Sequence, residues 1–153
     1  MAKKRVSTGR RKPDSWYRQS GVVPLRLRGG RPRVLLVTSN GGARWIVPKG
    51  IVEEGLSPAR SAAKEAWEEA GVKGILSRRM IGRYETAKWG GVCTVRVYLL
   101  AVTEVARTWP EDHVRRRRWL SPERAAALVA EPKLKELILA AGASVAGYGA
   151  GRR

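Results

Sequence analysis

Phenylalanine is absent from this sequence of 153 residues, and cysteine and histidine occur once each. The single cysteine, Cys93, excludes an intramolecular disulfide. A chain without disulfides is typical of a reducing compartment, so we expect a cytoplasmic protein. Six tryptophans stand in for the missing phenylalanine, and we expect most of them to lie in the core or at its edge.

Acidic residues are also scarce, because Asp and Glu number 13 against 31 Lys and Arg, for a formal net charge of +18. Such a surplus attracts polyanions, including nucleic acid, inositol phosphates, polyphosphate and acidic membrane surfaces. The sequence has no apolar run of about 18 residues, so we expect no membrane-spanning helix. The basic start of the chain is not followed by an apolar stretch and does not resemble a secretory signal.

The apolar pattern and the turn signals predict a single domain. We expect a disordered basic arm at residues 1–14, the folded domain at 15–142 and a flexible glycine-rich tail at 143–153. Strands are predicted at 16–28, 33–38, 44–47, 74–86, 91–105 and 115–118, and helices at 58–70, 122–130 and 133–141. Pro24 favours an edge position or a bulge in the first strand. The order of elements predicts an α+β fold with a mixed sheet.

The helix at 58–70 carries the clearest signals and the most informative side chains. Ser57 suits the N-cap, Pro58 the first helical position and Gly71 the position after the last turn. Its alanines recur at helical spacing and form a narrow apolar stripe, which would let the helix pack close to a sheet.

Three glutamates, Glu65, Glu68 and Glu69, fall on one face of this helix because they are three and four residues apart. Like charges at this spacing destabilise a helix by roughly 0.2–0.5 kcal/mol per pair. They also lie near the negative end of the helix dipole. Two interpretations remain open: a solvated acidic face paired with nearby basic residues, or a site for a divalent cation such as Mg²⁺, which prefers oxygen ligands.

The segment resembles the Nudix box, a motif of the Nudix hydrolase family. Gly50 opens it, and Glu65-Ala66-Trp67-Glu68-Glu69-Ala70-Gly71-Val72 closes it with the E-x-x-E-E-x-G pattern of the family. Segments outside the box, including WIVPKG, AGVKGILSRRMIGRYE, VYLLAVTEV and RRRRWL, are similar to the diphosphoinositol polyphosphate phosphohydrolase branch, over roughly residues 17–130. The resemblance implies a Nudix fold, with a mixed central sheet between helices in an α/β/α sandwich.

Three positions depart from the family pattern. Leu56 stands where the first Glu of the box is usual, and Lys64 replaces an arginine that pairs with the box glutamates. A lysine keeps the charge but lacks the bidentate guanidinium fork. Ala66 is smaller than the usual aliphatic residue. We expect Glu53 and Glu54, in the box loop, to be solvated, although either could help to hold a metal in the absence of a glutamate at position 56.

The resemblance also implies roles for particular residues. Mg²⁺, with Mn²⁺ as a possible substitute, would be held by Glu65, Glu68 and Glu69, with the Gly50 carbonyl as an extra ligand. A glutamate of the cluster, or one from another loop, would accept a proton from the attacking water; Glu111 is the first candidate outside the helix and Glu85 the second. Phosphate contacts are expected from five basic residues: Arg18, Arg44, Lys49, Arg115 and Arg117.

The function implied is a Mg²⁺-dependent pyrophosphohydrolase acting on a highly anionic substrate, such as a diphosphoinositol polyphosphate or a diadenosine polyphosphate. The alternatives are cleavage of RNA caps or nucleotide sugars, and a catalytically weak Nudix scaffold that binds nucleic acid or polyphosphate. We expect His113, Trp89 and Cys93 to have no catalytic role. The sequence does not set the oligomeric state.

Overall fold

The computed structural model describes residues 11–151, with side chains described as far as residue 145. After a short 3₁₀ helix at Asp14–Tyr17, the described chain forms eight strands and three α-helices. The strands are β1 (Arg18–Arg28), β2 (Arg31–Thr38), β3 (Trp45–Ile46), β4 (Lys49–Ile51), β5 (Val72–Leu76), β6 (Gly82–Lys88), β7 (Gly91–Val105) and β8 (Arg117–Leu120). The helices are α1 (Pro58–Ala70), α2 (Pro122–Leu128) and α3 (Pro132–Gly151).

The strands form one mixed sheet, as the sequence predicts. Its main order is β3-β2-β1-β7-β5, with β4 also paired to β1, β6 to β7 and β8 to β2. The long strands β1 and β7 run parallel, and the other pairs are antiparallel. Pro24 was expected at an edge position or at a bulge, but β1 is an interior strand, and its register with β7 is regular at Pro24. The proline lies where the antiparallel partner of β1 changes from β4 to β2.

Alternating side chains give the sheet two buried faces. Val22, Leu35 and Val37 pack against the alanine stripe of α1 on one face. Val23 and Leu36 belong to a second cluster, which packs against α2 and α3 on the other face. The helices therefore cover both sides of the sheet, and the α/β/α sandwich is confirmed. In the described part of the chain, no helix is long and apolar enough to cross a membrane.

Helix α1 has the predicted ends. The Ser57 hydroxyl accepts a hydrogen bond from the Arg60 N–H, and Gly71 ends the helix in a left-handed conformation, with φ of 68°. A side chain at Gly71 would meet Arg117 Nη1 and Trp109 Cβ, each at 2.8 Å. The position therefore requires glycine for its backbone angle and for its close neighbours.

Several boundaries differ from the prediction. The segment 74–86 is two strands, separated by a turn that begins at Ser77, and the short strand β4 lies between the predicted strand at 44–47 and the predicted helix at 58–70. Only the second half of 115–118 is strand, since β8 begins at Arg117.

The chain ends are also only partly as expected. Helix α3 runs to Gly151, so the backbone of 143–151 is helical where the sequence predicts a glycine-rich tail, and the flexibility of that tail stays a prediction. Gly142 lies inside α3 and does not break it. The helix packs against Pro122 of α2 at this point, and a side chain at position 142 would collide with the proline ring. Residues 1–10 and 152–153 lie outside the described residues. Arg11, in the predicted arm, pairs with Asp14 and lies over the Tyr17 ring.

Replacing Gly71 with alanine should destabilise the fold by about 2–3 kcal/mol, because strain at positive φ of about 1–2 kcal/mol adds to the collision with Trp109 and Arg117. Gly55→Ala is the matched control, since Gly55 has φ of 88° but a Cβ added there would meet nothing within 4 Å. Urea unfolding of both variants measures the difference. Equal losses would show that packing at the end of α1 contributes nothing.

Candidate metal and phosphate site

The carboxylate face of α1 packs on the backbone of β4. Ser61 begins this contact, because its hydroxyl donates to the Ile51 carbonyl and accepts from the Glu53 N–H. One turn further along, the Glu65 carboxylate lies against Gly50, where any Cβ would overlap it. Gly50 thus lets a carboxylate reach the sheet backbone, so the opening glycine of the box and the first glutamate of its ending meet in space.

Glu69 is the most buried charged residue described, with 5% of its surface exposed. Its Oε1 accepts a hydrogen bond of 3.2 Å from the Lys49 backbone N–H, and its Oε2 lies 3.3 Å from Arg115 Nη2. Burial raises the pKa of Glu69, and the negative charge of Glu65 adds to this; Arg115 and the Lys49 N–H oppose the rise.

Glu65 and Glu69 lie one turn apart on α1, and their carboxyl groups interact. Burial raises the pKa of Glu65, and the charges of Glu68 and Glu111 add to the effect, while the interaction with Glu69 and the charge of Lys64 lower it. Both groups therefore have raised pKa values, mainly because burial disfavours their charged forms and in part because negative side chains lie close to them. Carboxylate oxygens with uncompensated charge are suitable ligands for a hard divalent cation.

Glu68 faces a different partner. Lys64 Nζ lies 2.8 Å from the Glu68 carboxylate and 3.0 Å from that of Glu53 in the box loop. The lysine that replaces the usual arginine therefore still pairs with a box glutamate. Among the described residues, no three His, Cys, Asp or Glu side chains are grouped as a ready metal site. For all three α1 glutamates to bind one cation, Glu68 would have to leave Lys64.

The loop before β8 brings Glu111 to this cluster. Its backbone N–H donates to the Glu68 carbonyl at 3.0 Å, and its carboxylate accepts a 2.7 Å hydrogen bond from Arg115 Nε. Its negative charge contributes to the raised pKa values of Glu65 and Glu69. The structure thus places the first candidate for an outside glutamate beside the helix. Glu85, the second candidate, is exposed on β6 and paired across the sheet with Thr94.

Arg115 and Arg117, both predicted to contact phosphate, are engaged with protein atoms. Arg115 bridges Glu69 and Glu111 and also donates to the Thr38 carbonyl at 2.8 Å. Arg117 lies 3.9 Å from the centroid of the Trp109 ring and donates to the Ala70 carbonyl.

The indole N–H of Trp109 donates to the Glu69 carbonyl at 2.9 Å. Trp109 and Arg117 therefore satisfy the last carbonyls of α1, a role that the sequence did not reveal. A phosphate contact by Arg117 stays a prediction.

Lys49 contributes to both faces of the sheet. Its backbone N–H binds Glu69, whereas its side chain follows the alternation of β4 to the other face and donates to Gln19 Oε1 at 3.2 Å. Burial lowers the pKa of Lys49, and the nearby charge of Lys88 lowers it further, while Glu69 and Glu131 oppose this. Gln19, Lys88 and Glu131 were not foreseen, because they come from three separate elements.

The remaining predicted phosphate contacts lie apart from the carboxylate pair. Arg44 is exposed, with its guanidinium 3.9 Å from Glu131. An open cleft of about 1000 Å³ borders Glu131 and is also lined by Tyr84 and Lys133. Arg18 is exposed and lines a groove with Arg83 and Arg96, next to the first turn of α1.

Four residues with no expected catalytic role can also be located. Cys93 is buried in β7, as expected, and His113 is exposed in the loop before β8. Trp89 lies in the tight turn before β7 with φ of 53°, and its carbonyl accepts a 2.6 Å hydrogen bond from Tyr17. Leu56, in place of the usual box glutamate, is half-buried and lines a groove with Trp16.

Removing the buried guanidinium group of Arg115 should destabilise the fold in a pH-dependent way. We expect Arg115→Met to lose about 3 kcal/mol of unfolding free energy, because Glu69 and Glu111 lose their shared partner. Without Arg115 the folded-state pKa of Glu69 rises further. The loss should therefore be small in acid, where Glu69 is protonated in both folded proteins, and grow as pH rises through the wild-type folded-state pKa of Glu69, about 8.

Urea unfolding near pH 6 and near pH 9 measures this effect. Arg118→Met is the control, because Arg118 is exposed and pairs with no described carboxylate. A loss that is the same at both pH values, or the same in the control, would show that Glu69 does not depend on Arg115.

Comparison with known proteins agrees with this geometry. Over 116 residues the chain is 44% identical to diphosphoinositol polyphosphate phosphohydrolase 3-beta of Bos taurus, a match that covers 74% of this chain and 69% of that protein. Over 115 residues it is 36% identical to the mitochondrial Nudix hydrolase 16 of Arabidopsis thaliana, covering 70% of this chain and 63% of the plant protein. The chain therefore spans less than two thirds of the plant relative.

Solved structures share the fold. The chain superposes on a C. elegans Ap4A hydrolase binary complex with a TM-score of 0.67 and 21% identity, covering 85% of this chain and 98% of that one. The NUDIX domain family matches residues 17–140, which include the whole carboxylate site. With that match and relatives well above 30% identity, the chain belongs to the Nudix family.

Proposed function

We propose that this protein is a divalent-metal-dependent pyrophosphohydrolase that cleaves a phosphoanhydride bond in a highly anionic, phosphorylated small molecule. The observation that carries the proposal is the pair of the half-buried Glu65, held against Gly50, and the buried Glu69, with Glu68 and Glu111 beside them. A group of this kind destabilises the empty protein, and a cation would neutralise it.

The donor set fits Mg²⁺, with Mn²⁺ as a substitute, because every candidate ligand is a hard oxygen atom. Glu65 and Glu69 would hold the ion, with Glu68 and the Gly50 carbonyl as further candidates. When bound, the ion would neutralise charge on the phosphate oxygens and acidify a water molecule. Glu111 is our candidate base, since it reaches the cluster from a separate loop and is not on α1.

The positive residues support a substrate with several phosphates. Lys49 and Lys88 lie together on the sheet face opposite α1, and the Lys49 backbone is shared with the carboxylate site. An anionic chain that begins at the carboxylate pair would therefore meet two ammonium groups around β4. Diphosphoinositol polyphosphates and diadenosine polyphosphates, which relatives and structural neighbours are named for, are the substrates that we propose.

Two alternatives remain, and a panel of substrates separates them. RNA caps and nucleotide sugars contain the same bond, so the carboxylate site fits them equally well. A weakly catalytic binding module is favoured by Leu56 and by the Lys64–Glu68 ion pair. The single buried cysteine is compatible with our proposal of a cytoplasmic location, although the matched plant relatives are named mitochondrial.

Purified protein with Mg²⁺ should hydrolyse a diadenosine polyphosphate, and Glu69→Gln should lower kcat by at least about 100-fold, because the amide cannot supply a charged ligand. Glu123→Gln, an exposed substitution on α2, should leave the rate unchanged. Product formation is followed by anion-exchange chromatography, and EDTA should abolish it.

The same assay on diphosphoinositol phosphates, capped RNA and ADP-ribose ranks the substrates by kcat/KM. Equal rates for wild type and Glu69→Gln would rule out catalysis at this site. The absence of turnover across the whole panel would favour the binding module.

A further inference from the structure

The β1–β2 hairpin carries four arginines on one side. Register pairs Arg26 with Arg33 and Arg28 with Arg31, directly across the two strands. The neighbouring pair, Leu25 and Val34, packs in the cluster under α2 and α3, so the arginines project to the other side, the side of α1. We call Arg26, Arg28, Arg31 and Arg33 the arginine face.

Like charges directly opposite each other destabilise a hairpin, and here the arrangement occurs twice. Among the described side chains, no carboxylate forms an ion pair with any of the four. Burial lowers the pKa of Arg26, and the charge of Arg28 lowers it further; burial and the charge of Arg26 do the same to the pKa of Arg117. The fold therefore concentrates positive charge without balancing it.

One member of the face is held in place. The Arg26 guanidinium lies over the Trp119 ring, 4.0 Å from its centroid, and Trp119 packs against the α1-side core. The buried Nε atom of Arg26 has no hydrogen-bond partner in the described protein. A guanidinium fixed on an indole keeps its terminal nitrogens available for an anion, and its plane can stack on a nucleobase.

The geometry favours a linear polyanion over a membrane. The arginines repeat at every second residue along both strands, so their charges form a regular double row. The exposed apolar residue of the hairpin, Leu27, is 41% exposed but projects to the opposite side. Among the described residues of the hairpin, no exposed apolar side chain lies on the arginine face, and the Trp119 ring beside it is covered by Arg26.

We propose that the arginine face binds the phosphodiester backbone of single-stranded nucleic acid without sequence preference. The four guanidiniums contact phosphates, and Arg26 on Trp119 offers a stacking surface that inorganic polyphosphate would not use. The surface is separate from the carboxylate pair and does not require that pair to be catalytic.

Binding of labelled single-stranded RNA tests the proposal, with fluorescence anisotropy in EDTA so that hydrolysis does not interfere. The test variant is Arg28→Ala/Arg31→Ala, which removes the outer, exposed pair. The matched control is Arg78→Ala/Arg79→Ala, an exposed pair in the loop after β5, which lowers the net charge equally. Thermal unfolding and circular dichroism establish that both variants are folded, and Arg28→Lys/Arg31→Lys should recover part of the affinity.

We expect the hairpin variant to weaken binding by about tenfold and to reduce the slope of log K against log salt by about 1.4, whereas the control changes little. Equal losses in the two variants would show diffuse attraction to net charge and overturn the proposal. The absence of RNA binding would also overturn the proposal. It would be overturned as well if the hairpin substitutions weakened binding of inorganic polyphosphate or of phosphatidylserine vesicles but not of RNA.

Discussion

The central interaction of this molecule is the stabilisation of one buried carboxylate, that of Glu69, by partners from two other segments of the chain. Glu69 lies almost wholly inside the protein, where an unpaired charge would be strongly unfavourable. Its two partners come from different parts of the chain: the Lys49 N–H from β4 and Arg115 from the loop before β8. The contact joins the box loop, the box helix and the distal loop, so the same interaction holds the fold together and assembles the site.

The positive partners of Glu69 do not balance all of the negative charge around it, and the remaining charge favours the binding of a cation. Glu65 lies one turn from Glu69 on α1 and its charge helps to raise the pKa of Glu69, and Glu111 adds negative charge near both. A purely structural pair would be expected to have as many positive as negative partners. Here the excess lies beside Gly50, whose lack of a side chain leaves room for the Glu65 carboxylate. This surplus supports a cation site over the solvated acidic face, even though Glu68 pairs with Lys64 as that second interpretation expects.

Local signals in the sequence predicted the parts of the fold that depend on neighbours along the chain. Ser57, Pro58 and Gly71 set both ends of α1, because capping and left-handed glycine are properties of short segments. The α/β/α architecture and the meeting of Glu111 with the box came from the family resemblance. The sequence could not show that Arg117 and Trp109 close the end of α1, or that Lys49 points to the opposite face, since these contacts join residues that are far apart in sequence. The helical end of α3 was missed because Gly142 resembles a break until Pro122 packs against it.

Opposite charges are separated within a strongly basic chain: carboxylates gather at β4 and α1, while unpaired arginines gather on the β1–β2 hairpin. The central claim concerns the carboxylates, and an anomalous scattering map from crystals soaked in Mn²⁺ tests it most directly. The account predicts a manganese peak within about 2.5 Å of carboxylate oxygens of Glu65 and Glu69. A map with no peak there, and with Glu69 still on Arg115 and Glu68 still on Lys64, would contradict it.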